Sequence, residues 1–199
     1  MPSFADITRH EDAPPGEDLW VGERPAVTPI EVVDPDPSWC AQFDELAGRI
    51  RSALGERVLS LEHVGSTSVP GLPAKPVIDI DLTVVDAGDE ASYVPALEGV
   101  GYVLRIREPN WHQHRCLMAT SPGSNLHVWS PDCPEAIRHR MFREWLTAHP
   151  DDRGRYAAAK RAAADATNAA AEDLMAYNQR KQAVIRDILD RAFRAHGML

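Results

Sequence analysis

The chain has 199 residues, of which 44% are hydrophobic and 26% charged, enough apolar material for one core with a helical appendage. Its net charge of −9 argues against an extended nucleic-acid partner, which requires a continuous positive footprint. No apolar run reaches the ~18 residues that would cross a bilayer, and the N-terminus lacks a basic start followed by an apolar stretch, so a cytoplasmic protein with no membrane partner is expected.

Residues 1–29 contain Pro2, Pro14, Pro15, Pro25 and Pro29 with several acids, and read as an extended arm. Such an arm would lie on its own domain or on a second copy of the chain, the latter making a homo-oligomer. Pro37 opens a helix whose apolar face is Trp39, Phe43, Leu46, Ile50 and Leu54, and Gly55 closes it. A strand is predicted from Arg57 to Val64, then a loop from Gly65 to Lys75, then a strand bearing Asp79 and Asp81. Val94 to Val100 reads as a helix end, followed by strands near Tyr102–Ile106, His112–Ala119 and Leu126–Trp129, the last two separated by the turn Ser121-Pro122-Gly123-Ser124. Beyond Pro134 the pattern is helical: Ile137, Met141, Phe142, Trp145 and Leu146 form one face, an alanine-rich stretch runs from Tyr156 to Ala171, and Leu174 to Leu189 supplies a third helix. Residues 30–132 thus form a core and 133–199 a helical region packed on it. The fold class is α+β: a small mixed sheet flanked by helices, with a C-terminal helical bundle. Cys40, Cys116 and Cys133 are too few and too scattered for a disulfide framework or a structural zinc site, and read as reduced thiols.

The chemistry concentrates in residues 62–84. In an extended strand, alternate side chains share a face, so Val77, Asp79, Asp81 and Thr83 lie opposite Ile78, Ile80, Leu82 and Val84. The second face is aliphatic and belongs in the core. Two carboxylates about 7 Å apart, at a rise of ~3.3 Å per residue, repel each other unless a cation sits between them. A hard divalent ion with oxygen ligands fits that need. Gly65, Ser66, Thr67 and Ser68 form a small-residue turn able to offer amides and hydroxyls to a phosphate.

Gly65-Ser66, a spacer of twelve residues, then Asp79-Ile80-Asp81 resembles the signature of the nucleotidyltransferase superfamily. The longer string HVGSTSVPGLPAKPVIDI resembles the GrpB family within it, as do Val32-Val33-Asp34-Pro35, Asn125-Leu126-His127-Val128, Phe142-Arg143, His149-Pro150, and the Tyr156/Lys160 and Tyr177/Lys181 pairs. The resemblance covers roughly residues 30–195 and implies a nucleotidyltransferase-like fold. It further implies that Asp79 and Asp81 are catalytic and hold Mg²⁺ or Mn²⁺. Ser66 and its turn, with Lys75 and Lys181, would bind the phosphates of a nucleoside triphosphate or another phosphorylated small molecule. Nucleotidyltransferases generally use a third carboxylate on a neighbouring strand. The segment Asn125 to Trp129 offers none, and His127 stands there as the substitute metal ligand, which would favour a softer ion such as Mn²⁺.

Bland readings stand beside these. His63 and Glu62 alternate on one strand, so only one easily faces a cleft. His112, His114 and Cys116 share a face in the predicted strand, where a polar sheet surface is a sufficient account. Arg143 suits a phosphate clamp or a helix surface equally. Lys160 and Lys181 each follow a tyrosine by four residues and would snorkel from the helical core. The functional expectation is metal-dependent nucleotidyl transfer to a small-molecule or protein acceptor. The alternatives are a nucleotide- or phosphometabolite-binding accessory module and, more remotely, phosphoester hydrolysis. GrpB-like domains occur fused to dephospho-coenzyme A kinase in some members. This chain carries no G-x-x-x-x-G-K-[ST] loop.

Overall fold

The computed structural model describes residues 1–11 and 18–199; Pro14 and Pro15 of the predicted arm lie outside the described residues. Five strands form one mixed sheet in the order β1-β2-β5-β4-β3. They are β1 (Ser60–Val64), β2 (Ile78–Thr83), β3 (Val103–Glu108), β4 (His114–Thr120) and β5 (Gly123–Trp129). Only the β2–β5 pair is parallel; β1–β2, β5–β4 and β4–β3 are antiparallel. The helices are α1 (Phe4–Thr8), α2 (Ser38–Leu54), α3 (Val94–Glu98), α4 (Pro134–Ala148), α5 (Pro150–Ala169) and α6 (Leu174–Ala195). The class is α+β.

Strand alternation places the core. Ile78, Ile80 and Leu82 of β2 and Leu126 and Val128 of β5 are fully buried against Trp39, Leu46, Ile50 and Leu54 of α2 and Leu97 of α3. Gly55 ends α2 at φ +58, a backbone region that L residues with a Cβ rarely occupy. The opposite face of the sheet carries the polar residues and looks toward α4–α6. Val69 and Leu72, from the segment linking β1 to β2, anchor that layer by packing with Leu146, Tyr156 and Ile188.

Three expectations shift. The first strand begins at Ser60 rather than Arg57, because residues 55–57 make a 3-10 turn. His112 and Gln113 take positive φ in the turn before β4, so the strand starts at His114 and His112 leaves the face it was expected to share with His114 and Cys116. The arm is partly helical: Ser3 and Asp6 form a reciprocal capping box on α1. Ile7 of α1 is buried with Met141, Leu189 and Phe193. Arg138 clasps the segment, donating to the carbonyls of Ile7 (2.7 Å), Asp6 (3.1 Å) and Arg9 (2.5 Å) while paired with Glu135. Further on, Val21 N–H donates to Arg105 O and Arg107 N–H to Leu19 O, which covers the exposed edge of β3.

Arg138→Met leaves those carbonyls and Glu135 without their donor, and is expected to cost at least ~2 kcal/mol. Urea denaturation measures the loss, and residues 1–11 should become the first site of limited proteolysis.

Candidate functional site

β2 brings Asp79 and Asp81 to one face, as the alternation requires, but the fold gives them different neighbours. Asp79 faces a cavity of about 260 Å³ between the sheet and α5/α6. Its Oδ1 accepts a hydrogen bond from Asn125 Nδ2 at 2.8 Å, and His127 Nε2 stands 3.9 Å away. Burial opposes ionisation of Asp79, yet His127, Asn125 and His139 outweigh it and hold the carboxyl below its usual range. Asp81 is 5% exposed and does not line that cavity. Trp129 Nε1 donates to its Oδ1 at 2.9 Å, and His139 Nδ1 of α4 reaches both oxygens at 3.1 and 3.0 Å. Burial works against a charged His139, but the Asp81 carboxylate more than compensates and raises its pKa to about 9. The pair at neutral pH is imidazolium and carboxylate.

Gly65 and Ser66 line the cavity beside Asp79. Gly65 has φ +66, and a Cβ there would lie 2.3 Å from Asp79 Oδ2, so glycine is what lets the turn touch the carboxylate. The other two residues of the expected phosphate turn do not reach the cavity. Thr67 is buried, donating to Val77 O and accepting from His63 Nε2 at 3.0 Å. Ser68 Oγ turns back to Gly65 O at 2.6 Å. Both brace the turn because their hydroxyls find backbone or ring partners nearer than any ligand. His63, stacked on Phe43 and driven down to a pKa of about 4 by burial, belongs to the same bracing. Arg143 donates to His63 O at 2.8 Å and lies 3.7 Å from Glu62, so it holds β1 and is no phosphate clamp in this arrangement.

Lys75 and Lys181 line the cavity, as expected, and Lys160 joins them. The snorkelling account of the two helical lysines fails: Lys160 is 2% exposed and Lys181 9%. Lys160 Nζ donates to Pro73 O at 2.8 Å, and Lys181 Nζ lies 4.0 Å from the centre of the Tyr177 ring. Burial depresses all three ammonium pKa values, to about 7 for Lys160 and about 8 for Lys181. Their mutual repulsion adds to this: Lys181 and Lys75 lower Lys160, and Lys75 lowers Lys181. The carboxylate whose field opposes this at each of the three is Asp79.

A buried polar row leads from the far edge of the sheet to Asp79. Glu108 Oε2 meets His114 Nδ1 at 2.5 Å, and His114 Nε2 meets His127 Nδ1 at 3.0 Å. Burial raises the Glu108 carboxyl and, with the nearby histidines, lowers His114 well below its usual range. His127 ends the row, its Nε2 toward Asp79.

The donor set does not fit the expected two-aspartate divalent centre. Asp81 is taken by His139 and Trp129, and no group of three or more His, Cys, Asp or Glu converges as metal ligands among the described residues. Glu62, in register with Asp81 across β1, is turned toward Arg140 and Arg143.

The segment from residue 29 to residue 191 matches the family model described as GrpB protein. The chain belongs to the GrpB family. A UPF0157 protein of Halalkalibacterium halodurans is 46% identical over 177 residues, covering 88% of this chain and 89% of that protein. A UPF0157 protein of Pseudomonas aeruginosa is 40% identical, covering 85% and 71%. The crystal structure of the conserved protein GrpB from Enterococcus faecalis superposes with a TM-score of 0.73 at 29% identity, over 83% of this chain and 99% of that one. A dephospho-CoA kinase of Mycolicibacterium paratuberculosis is 33% identical across 84% of this chain, which accounts for 47% of that protein. In this GrpB chain, sequence reasoning passed over His139, Glu108 and Lys160 as site residues. Of the three, only Lys160 left a trace, by repeating the Tyr-x-x-x-Lys spacing of Tyr177 and Lys181.

Two outcomes test this geometry. Glu108→Gln keeps a hydrogen-bond partner for His114 and should cost less than ~1 kcal/mol, whereas Glu108→Leu strands the imidazole and should cost ~1–3 kcal/mol in urea denaturation. Lys181→Met removes a buried cation whose pKa falls from 10.5 to about 8 on folding, a cost of ~3 kcal/mol below pH 8 at 1.36 kcal/mol per unit, less ~1 kcal/mol of cation–π attraction. The unfolded lysine holds its proton up to higher pH than the folded one, so the wild-type penalty fades as pH rises from 8 to 10.5. Lys181→Met should therefore be more stable by ~2 kcal/mol at pH 7, with the advantage gone near pH 10.5.

Proposed function

We propose that this protein binds a phosphorylated small molecule, with the phosphate held among Lys75, Lys160 and Lys181 beside Ser66. The observation that carries the reading is the composition of the cavity: three lysine side chains share it, and Asp79 is the carboxylate that acts on each of them. Burying unpaired positive charge is costly, and a polyanion offsets the cost with several charge-assisted hydrogen bonds. Lysine serves such a ligand as a point charge on a flexible stem. The net charge of −9 argues against an extended nucleic acid in the same place.

A second reading, metal-dependent nucleotidyl transfer with Mg²⁺ or Mn²⁺, is favoured by Asp79 and Asp81 sharing one face of β2 next to Gly65 and Ser66. A bound ion would supply charge neutralisation at a transferring phosphate. On present geometry Asp81 could take part only by giving up His139, so binding leads and transfer follows as the alternative. The similarity to part of a dephospho-CoA kinase is compatible with an accessory binding role.

Calorimetric titration with inorganic pyrophosphate in EDTA at pH 7 separates the two. Binding is expected without metal, weakened at least ~10-fold by Lys181→Met, the loss of one charge-assisted contact. Asp79→Asn, which removes the carboxylate nearest the anion, should tighten it several-fold. Pyrophosphate that binds only with Mn²⁺ and is lost in Asp79→Asn would favour the transferase, as would pyrophosphate release from an α-labelled nucleoside triphosphate.

A further inference from the structure

We infer that the ligand is amphipathic: the phosphate seated among the lysines carries a neutral aromatic or aliphatic group that occupies a second, apolar lobe of the site. This rests on the phosphate-binding reading and supplies the other end of the molecule. The second lobe has a volume of about 320 Å³. Gly65, Ser66 and His139 line both lobes, so the small-residue turn and one imidazole form the neck between them.

Past the neck the chemistry changes. The lysines are replaced by Phe142 and Leu146 of α4, Ile185 and Leu189 of α6, Trp111 from the turn before β4, and Tyr156 of α5. Tyr156 joins the two halves. Its hydroxyl interacts with Ser66 at the neck, and its ring stands edge-on to Phe142, 5.1 Å between centres and 82° between planes. Arg138 lies on the wall of this lobe, but its guanidinium is spent on Glu135 and the carbonyls of Asp6, Ile7 and Arg9. That segment continues into His10 and Glu11, which close the outer side. Together the lobes have the size and character of a small-molecule site: walls more apolar than polar by area, the lysines at one end, and Glu11, Glu135, Arg138 and Arg186 on the rim of the other. Filling an apolar lobe excludes water that has few partners there and removes apolar surface of the ligand from solvent. A bare phosphate leaves this lobe unused.

The test compares three probes on the full chain in EDTA at pH 7: inorganic pyrophosphate, adenosine diphosphate, and octyl diphosphate. At least one ester should bind ~10-fold or more tighter than pyrophosphate, the gain expected from burying ~60 Å² of apolar surface. Which ester gains tells an aromatic group from an aliphatic one. Ile185→Gln, a substitution on the wall of the apolar lobe, should remove that gain while leaving the pyrophosphate affinity within about twofold. The wild-type comparison alone decides the matter should the variant fold poorly. Pyrophosphate that binds as tightly as both esters would overturn the amphipathic ligand and leave the phosphate reading standing. Absence of binding by all three probes would overturn the phosphate reading, and this inference with it.

Discussion

Three lysine side chains and one carboxylate share a cavity between the sheet and the last two helices, and much of the structure around it is needed to keep them there. Lys160 comes from α5, Lys181 from α6, Lys75 from the approach to β2, and Asp79 from β2 itself. Each lysine loses hydration on folding, and each is partly relieved by the same aspartate. A fold that keeps such a cluster gives up stability to do so, because an apolar side chain at Lys181 would avoid the penalty. An anion bound among the lysines, as proposed, would offset that cost.

The arrangement of the sheet's polar face follows from this. Asp79 must stay ionised to hold the lysines, so it receives Asn125 on one oxygen and the neighbourhood of Gly65 on the other, where any side chain would collide. Its partner in sequence, Asp81, is drawn into a separate pairing with His139 and Trp129. The two aspartates are thus one strand apart in role although they share a face. The Glu108–His114–His127 row holds the His127 ring in place, with its Nε2 3.9 Å from Asp79.

Periodicity read the sheet well. The alternation in residues 77–84 assigned Ile78, Ile80 and Leu82 to the core and Asp79 and Asp81 to the opposite face, since period-two burial is a local property of a strand. The proximity of Gly65 and Ser66 to Asp79 was legible from their spacing, because a short connection must return to an adjacent antiparallel strand. What lay hidden depended on contacts between distant elements. His139 sits 58 residues beyond Asp81 on a helix whose polar face carries other cations, and no local pattern marks it. Lys160 and Lys181 look like ordinary amphipathic-helix residues until the packing of α5 on α6 takes their ammonium groups out of water. Thr67 and Ser68 misled in the opposite direction, their hydroxyls being suited to a phosphate but already engaged within the turn. The short helix at residues 4–8 was obscured by the prolines around it, although the Ser3-x-x-Asp6 capping pattern was there to be read.

If the buried lysines await an anion, their partly deprotonated amines must take up protons when it arrives, since a bound phosphate raises the pKa values of about 7 and 8 that burial imposes on Lys160 and Lys181. Calorimetry of pyrophosphate binding at pH 8 in two buffers of different ionisation enthalpy measures this directly. The expected result is net uptake of about one proton per ligand bound, largely abolished by a double Lys160→Met, Lys181→Met substitution. Binding with no proton exchange, identical in wild type and the double variant, would show that these lysines are not where the anion goes.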